Sequence, residues 1–292
     1  MMKNEIYAHY IASLAQRAIL YEVSATPKPG LVDRDNNGAH NDMDFFTFMS
    51  SSSSLYKGLY EFTMAGIVFE EEDLTNLFDN IRPLGMDCEK SMFLATKDIN
   101  THKGIIFSFG ILCASIGSLY KKHKKEIFKA EEVCSVAKNM VKDLILKDFK
   151  NLSAKKVLTH GEYLYKNHGL TGIRGEVESG FKTIMSKPLL IVRQWNINKD
   201  LDKNDLFLEV LLHIMASSED TNIVTRGGME SLHYVKSISK EFLEKSGMKQ
   251  PNSKEILSSM NDTFVKMNIS PGGSADLLAV TIFLALVEGI EL

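Results

Sequence analysis

Polar side chains and glycines that a helical core does not need gather in a few short segments of this 292-residue chain. In Thr26-Pro-Lys-Pro-Gly30 two prolines flank Lys28, and their fixed φ limits where its ammonium can point. The segment continues through Leu31-Val-Asp-Arg-Asp-Asn-Asn-Gly-Ala-His40 to Asn41-Asp-Met-Asp44, where His40, Asp42 and Asp44 alternate just ahead of an aromatic-rich helix. Alternating carboxylates can hold a hard cation such as Mg²⁺. The same spacing also suits one aspartate capping the helix while the other complements its dipole.

Asn100-Thr-His-Lys-Gly104 opens a helix with His102 and Lys103 beside its N–H groups, an arrangement suited to phosphate and equally to an ordinary capped helix, with Asn100 or Thr101 as the cap. Gly169, Gly172 and Gly175 recur every third residue, letting backbone approach a ligand, and Arg174 and Glu176 project from that stretch. Glu219-Asp-Thr-Asn222 and Arg226-Gly-Gly228 follow. Last comes Ser270-Pro-Gly-Gly-Ser-Ala-Asp276, a glycine turn in which Ser274 is placed to cap the final helix. Each segment alone could be turn chemistry; together they suggest loops gathered around one polar pocket.

The elements that must position these loops are helices. Tyr7, Tyr10, Ile11, Leu14, Ala18 and Tyr21 form one apolar stripe; Ile105, Phe109, Leu112, Ile116 and Leu119 form another, with Gly104, Ser108 and Ser115 off it where a second helix could come close. Further helical windows run over 42–65, 71–97, 130–147, 153–166, 176–186, 203–217, 226–245, 253–266 and 274–288. Alternating strand patterns are missing, and only Leu189–Val192 reads as a short buried strand. With no linker or fixed repeat, the pattern predicts a single all-α domain, 1–292, of roughly ten helices.

Composition narrows the function. Thirty-four Lys and Arg against 37 Asp and Glu give a net charge of −3, which argues against a general nucleic-acid binder. Three cysteines without C-x-x-C spacing fit neither a disulfide framework nor a zinc cluster and suit a reducing interior. Charged residues interrupt the first 23 positions, so no export signal is expected; 277–287 is too short to span a bilayer, and 104–120 reads as a buried core helix. The expectation is a cytoplasmic protein without a membrane span. Walker A, G-x-G-x-x-G, His-Asp and H-E-x-x-H patterns are all missing. The Lys121–Lys125 run follows an apolar helix and suits its C-terminal dipole.

The segments, in order, resemble the triphosphoribosyl-dephospho-CoA synthase family. The carrying residues are 22–33, 37–46, 100–104, 172–176, 220–228 and 270–276, spread over nearly the whole chain. The resemblance implies that ATP and 3′-dephospho-CoA give 2′-(5″-triphosphoribosyl)-3′-dephospho-CoA and adenine, the prosthetic-group precursor for citrate lyase or malonate decarboxylase. It further implies inversion at C1′ in one displacement, and a separate transferase that passes the product to an acyl carrier protein.

Such a reaction needs cations for the phosphates, carboxylates for an oxocarbenium-like transition state and a base for the attacking hydroxyl. Lys28, His102, Lys103, Arg174, Arg226 and Ser274 are the candidates for substrate phosphate and nucleotide. Asp42 and Asp44 are assigned to Mg²⁺, with Asp44 also counted among the catalytic groups, and Glu176 or Asp220 is assigned as base. An all-α, Mg²⁺-dependent N-glycoside hydrolase of ADP-ribose type has similar needs, with water in place of the 2′-hydroxyl. A helical binding module without turnover is the third reading, and a bundle of this size has room for a homodimer seam among its aromatic stripes.

Overall fold

A computed structural model describes residues 2–150, 152, 155 and 157–292. The described residues form fourteen α-helices and no strand, in line with the all-α expectation. They divide into two compact units: Met1–Val23, Asp42–Lys142 and Ala279–Leu292 make the first, Ser24–Asn41 and Asp143–Leu278 the second. The divisions fall within helices and short turns rather than in a linker.

The first unit holds α1 (Met2–Ser24), α2 (Phe45–Val68), α3 (Leu74–Thr96), α4 (Lys103–His123) and α5 (Ala130–Met140). Glycines bring α2 and α4 together: a Cβ on Gly66 would lie 2.0 Å from the Ala114 carbonyl oxygen, and one on Gly117 2.2 Å from that of Thr63. The sequence places the close approach at Gly104, Ser108 and Ser115. At Ser115 a second helix does arrive, with the hydroxyl 3.2 Å from Met140 Sδ of α5. By length and composition α4 could cross a membrane, but 72% of its most apolar window is buried in the protein. Its C-terminal turn carries Lys121, Lys122 and His123. All three cysteine thiols are buried, which pushes each up to about 12.

The second unit contains α6 (Leu144–Phe149), α7 (His160–His168), α8 (Gly172–Glu178), α9 (Lys182–Ser186), α10 (Pro188–Asn198), α11 (Lys203–Ser217), α12 (Thr221–Glu244) and α13 (Ser253–Lys266). Helix α14 (Gly272–Val287) contributes its start to this unit and its remainder to the first. The start of the expected 153–166 helix (Ser153, Ala154 and Lys156) lies outside the described residues; α7 covers its later part. Leu189–Val192 is helical, correcting the strand reading. Pro188 supplies a helical φ at the first turn, and Leu189, Val192 and Trp195 are buried at three-residue spacing. There are more helices than the periodicity shows because backbone breaks interrupt its windows. Asp143 (φ 62°) separates α5 from α6, and Gly180 (φ 78°) with Phe181 (φ 58°) separates α8 from α9.

Candidate functional site

Asp33 organises the Lys28 loop. One carboxylate oxygen accepts the Lys28 N–H at 2.8 Å, and the other accepts those of Asp35 and Asn36 at 2.8 and 3.0 Å. Asn204 pins the loop's start by accepting the Thr26 N–H at 2.9 Å and donating to the Thr26 carbonyl at 2.7 Å. Gly30, at φ 73°, passes so near Ile269 that a Cβ would lie 2.4 Å from its carbonyl oxygen. This contact sets the Pro-Lys-Pro-Gly loop against the residue preceding Ser270. Lys28 itself is 1% exposed.

Arg226 joins three of the sequence segments. Its guanidinium donates to the Ala39 carbonyl, to Asn268 Oδ1 at 2.7 Å and to His40 Nε2 at 3.3 Å. Because a guanidinium only donates, His40 Nε2 is the acceptor, and the Ser270 hydroxyl lies 2.8 Å from that nitrogen. Arg226 has no carboxylate partner among the described residues, so its half-buried charge is left without a counter-ion. Two residues later the helix breaks at Gly228, whose φ of 73° and ψ of −177° only glycine adopts readily.

Asp220 is fully enclosed and caps α12. Its Oδ1 accepts the N–H groups of Asn222 (3.0 Å) and Ile223 (3.4 Å), and its Oδ2 accepts the N–H (2.7 Å) and hydroxyl (2.9 Å) of Ser274. Burial pushes this carboxyl up from its ordinary value, opposed by the same four hydrogen bonds. Ser274 thus stands inside the first turn of α14 rather than at the N-cap, and its hydroxyl also lies 3.2 Å from that of Ser218. Gly273 packs tightly here, since a Cβ would come 3.0 Å from Asp220 Oδ1. A Cβ on Gly172 would come 3.2 Å from Thr221, so α8 meets the same corner.

Glu176, on α8, accepts hydrogen bonds from the Thr183 hydroxyl and N–H. Burial pushes its carboxyl up, and the charge of Glu219 adds to the rise. Arg174 turns to Asp148, with Nε 2.7 Å from the carboxylate. The second unit therefore brings together the segments around Lys28, His40, Gly172, Asp220, Arg226 and Ser270.

The other predicted residues belong to the first unit. Asp44 is exposed and caps α2, accepting from Thr47 N (2.8 Å) and Thr47 Oγ1 (2.7 Å), which hold its carboxyl below the ordinary range. Asp42 is exposed as well. Among the described residues no group of three or more His, Cys, Asp and Glu converges on a cation position. Two exposed carboxylates still fit Mg²⁺, which commonly takes one or two carboxylates and fills its octahedron with water and substrate phosphate. His102 is buried with Nδ1 2.6 Å from Ser51 Oγ, and Lys103 pairs with Glu89 at 3.1 Å. The N-cap of α4 is His102, without a side-chain cap hydrogen bond, rather than Asn100 or Thr101; Asn100 lies before the cap and accepts the Lys103 N–H at 3.3 Å. The reading of single residues missed Ser51, Ser218 and Asn268, which carry no motif and acquire partners only through folding.

An all-α scaffold that holds an unpaired guanidinium, a half-buried carboxylate and interlocking glycine turns has the parts of a transferase acting on phosphorylated substrates. The chain belongs to the ATP:dephospho-CoA triphosphoribosyl transferase family, whose model matches residues 8–291. A protein of Photobacterium profundum named as a probable 2-(5″-triphosphoribosyl)-3′-dephosphocoenzyme-A synthase is 40% identical over 281 residues, covering 96% of this chain and 88% of its own. A Streptococcus mutans protein with the same name is 39% identical, covering 95% and 96%. The 2-(5″-triphosphoribosyl)-3′-dephosphocoenzyme-A synthase of Pectobacterium atrosepticum is 40% identical, covering 90% and 84%. No solved structure matches the chain.

Proposed function

We propose that this chain runs its family's reaction, moving the 5-triphosphoribosyl group of ATP to the 2′-hydroxyl of 3′-dephospho-CoA with release of adenine, at the polar cluster of the second unit. The observation that carries this placement is Arg226, an uncompensated cation where three segments meet. A phosphate there gains charge-assisted hydrogen bonds without first breaking an ion pair. Lys28 and Arg174 are the further cations of this unit assigned to substrate phosphates.

Glu176 is the base. Its raised carboxyl gives the ionised form a strong affinity for the hydroxyl proton, as general-base catalysis favours. Asp220 has both oxygens engaged by backbone and hydroxyl donors, so its part is to hold the starts of α12 and α14 together, with Ser274 as the other half of the brace. In the first unit, Asp42 and Asp44 are assigned to Mg²⁺, which neutralises phosphate charge when bound, and His102 and Lys103 to nucleotide phosphate. The enzyme works in the cytoplasm as a homodimer. Its product passes to a separate transferase that acts on the acyl carrier protein of citrate lyase or malonate decarboxylase.

The test is incubation of the purified protein with ATP, Mg²⁺ and 3′-dephospho-CoA, following adenine and product mass. Adenine that appears only with dephospho-CoA, together with the triphosphoribosyl adduct, is the expected result. Adenine without dephospho-CoA would instead indicate a hydrolase. ATP binding with no adenine would indicate a binding module. Glu176→Gln should lower kcat by about 10² or more while ATP still binds.

A further inference from the structure

We propose that Glu219 is a second catalytic carboxylate of this reaction, set beside Glu176 to stabilise positive charge at C1′. The proposal rests on the placement of the transfer at the second unit and on Glu176 as its base.

Glu219 lies in the short turn between α11 and α12, and both of its neighbours are anchored. Ser218 and Asp220 are buried, and both reach Ser274. Their backbones are extended, at φ −71° and ψ 158° for Ser218 and φ −71° and ψ 104° for Asp220. Between these two buried residues Glu219 is exposed. The next residue, Thr221, abuts Gly172 at the start of α8. Glu176 stands four positions after Gly172 on the same short helix. The charge of Glu219 pushes the Glu176 carboxyl up, and that of Lys182 on α9 pulls it down.

In the transfer, the O2′–C1′ bond forms as C1′–N9 breaks. The bonding pair leaves with adenine, which takes a proton from water, while the O2′ proton passes to Glu176 and then to solvent. Glu219 keeps its charge throughout. It opposes the cation that develops at C1′ and strengthens Glu176 as a proton acceptor, a separation of roles between neighbouring carboxylates by their surroundings.

Glu219→Gln and Glu219→Asp, assayed by adenine release from ATP and 3′-dephospho-CoA across pH, test this. Glu219→Gln should lower kcat about 10²-fold with little change in KM, and the thermal midpoint should hold because the side chain is exposed. The acid limb of kcat/KM should move to lower pH, since removing a neighbouring negative charge makes Glu176 easier to ionise. Glu219→Asp should recover part of the rate. A purely structural role would leave the acid limb where it is. A kcat within about threefold of the parent and an unmoved limb would overturn the role of Glu219 alone. Full activity in Glu176→Gln would overturn the base beneath it, and no adenine from the unaltered protein would overturn the whole reading.

Discussion

Asp44 and Asp220 each cap a 24-residue helix, α2 and α12 respectively, and each accepts N–H groups of the first turn. Their surroundings set them apart. Asp44 stands at the surface, and its carboxylate accepts from the N–H and hydroxyl of one residue three positions on, Thr47. Asp220 is enclosed, and half of its hydrogen bonds come from Ser274, 54 positions away. The two carboxyls therefore shift in opposite directions, Asp44 down through its hydrogen bonds and Asp220 up through burial. Both aspartates serve as N-caps, Asp44 in a capping box with Thr47 and Asp220 through the N–H groups of Asn222 and Ile223, but only the enclosed one couples two helix starts. That coupling links a local cap to the shape of the candidate site.

The sharpest way to break this comparison is Asp220→Ala. It strands three backbone N–H groups, those of Asn222, Ile223 and Ser274, and leaves the Ser274 hydroxyl with Ser218 as its partner. The expected cost is roughly 3 kcal/mol or more. Urea unfolding should show a lower midpoint at an unchanged m-value. A loss no larger than that of Asp44→Ala would end the distinction between brace and cap.

Next in size is Gly273→Ala. On an open helix surface the change from glycine to alanine stabilises by about 1 kcal/mol. Here the added Cβ meets Asp220 Oδ1 at 3.0 Å, so the carboxylate must shift within a closed corner. A net destabilisation of about 1–2 kcal/mol is expected, accompanied by slower adenine release. A stabilised variant would show that the corner yields and that Asp220 is not held tightly.

These two residues also show what the sequence could tell. The apolar stripes announce the all-α class, and the glycine segments single out the region where α8, α12 and α14 begin. Neither shows that Ser274 bonds to Asp220 instead of capping α14, because that depends on a partner 54 positions away. Spacing marks Arg226 as a cation but does not reveal that its acceptors, Ala39, His40 and Asn268, are all uncharged. Glu219 is legible only as the neighbour of an aspartate; its exposure between two buried anchors is set by the fold. The helix count from periodicity is low for a related reason. Positive φ at Asp143 and Phe181 breaks apolar patterns that continue across the break, and phenylalanine is not a residue type that usually adopts it.

The smallest effect separates two roles of Asp44. As a cap, Asp44→Ala should cost about 1 kcal/mol, whereas asparagine caps almost as well, so Asp44→Asn should lose only a few tenths of a kcal/mol. Most of that difference is the favourable charge at the helix start. Because the folded-state carboxyl is held low, its stabilising charge is present above the ordinary carboxylate range and is lost as pH falls through the lowered value. The gap between parent and Asp44→Asn should therefore be full at neutral pH and close under acid. Metal binding adds a requirement that capping does not. With the amide in place of the carboxylate, half-maximal adenine release should need about tenfold more Mg²⁺ while the unfolding midpoint scarcely moves. An unchanged Mg²⁺ requirement with an unchanged midpoint would reduce Asp44 to a surface cap and leave Asp220 as the only one of the two aspartates tied to the reaction.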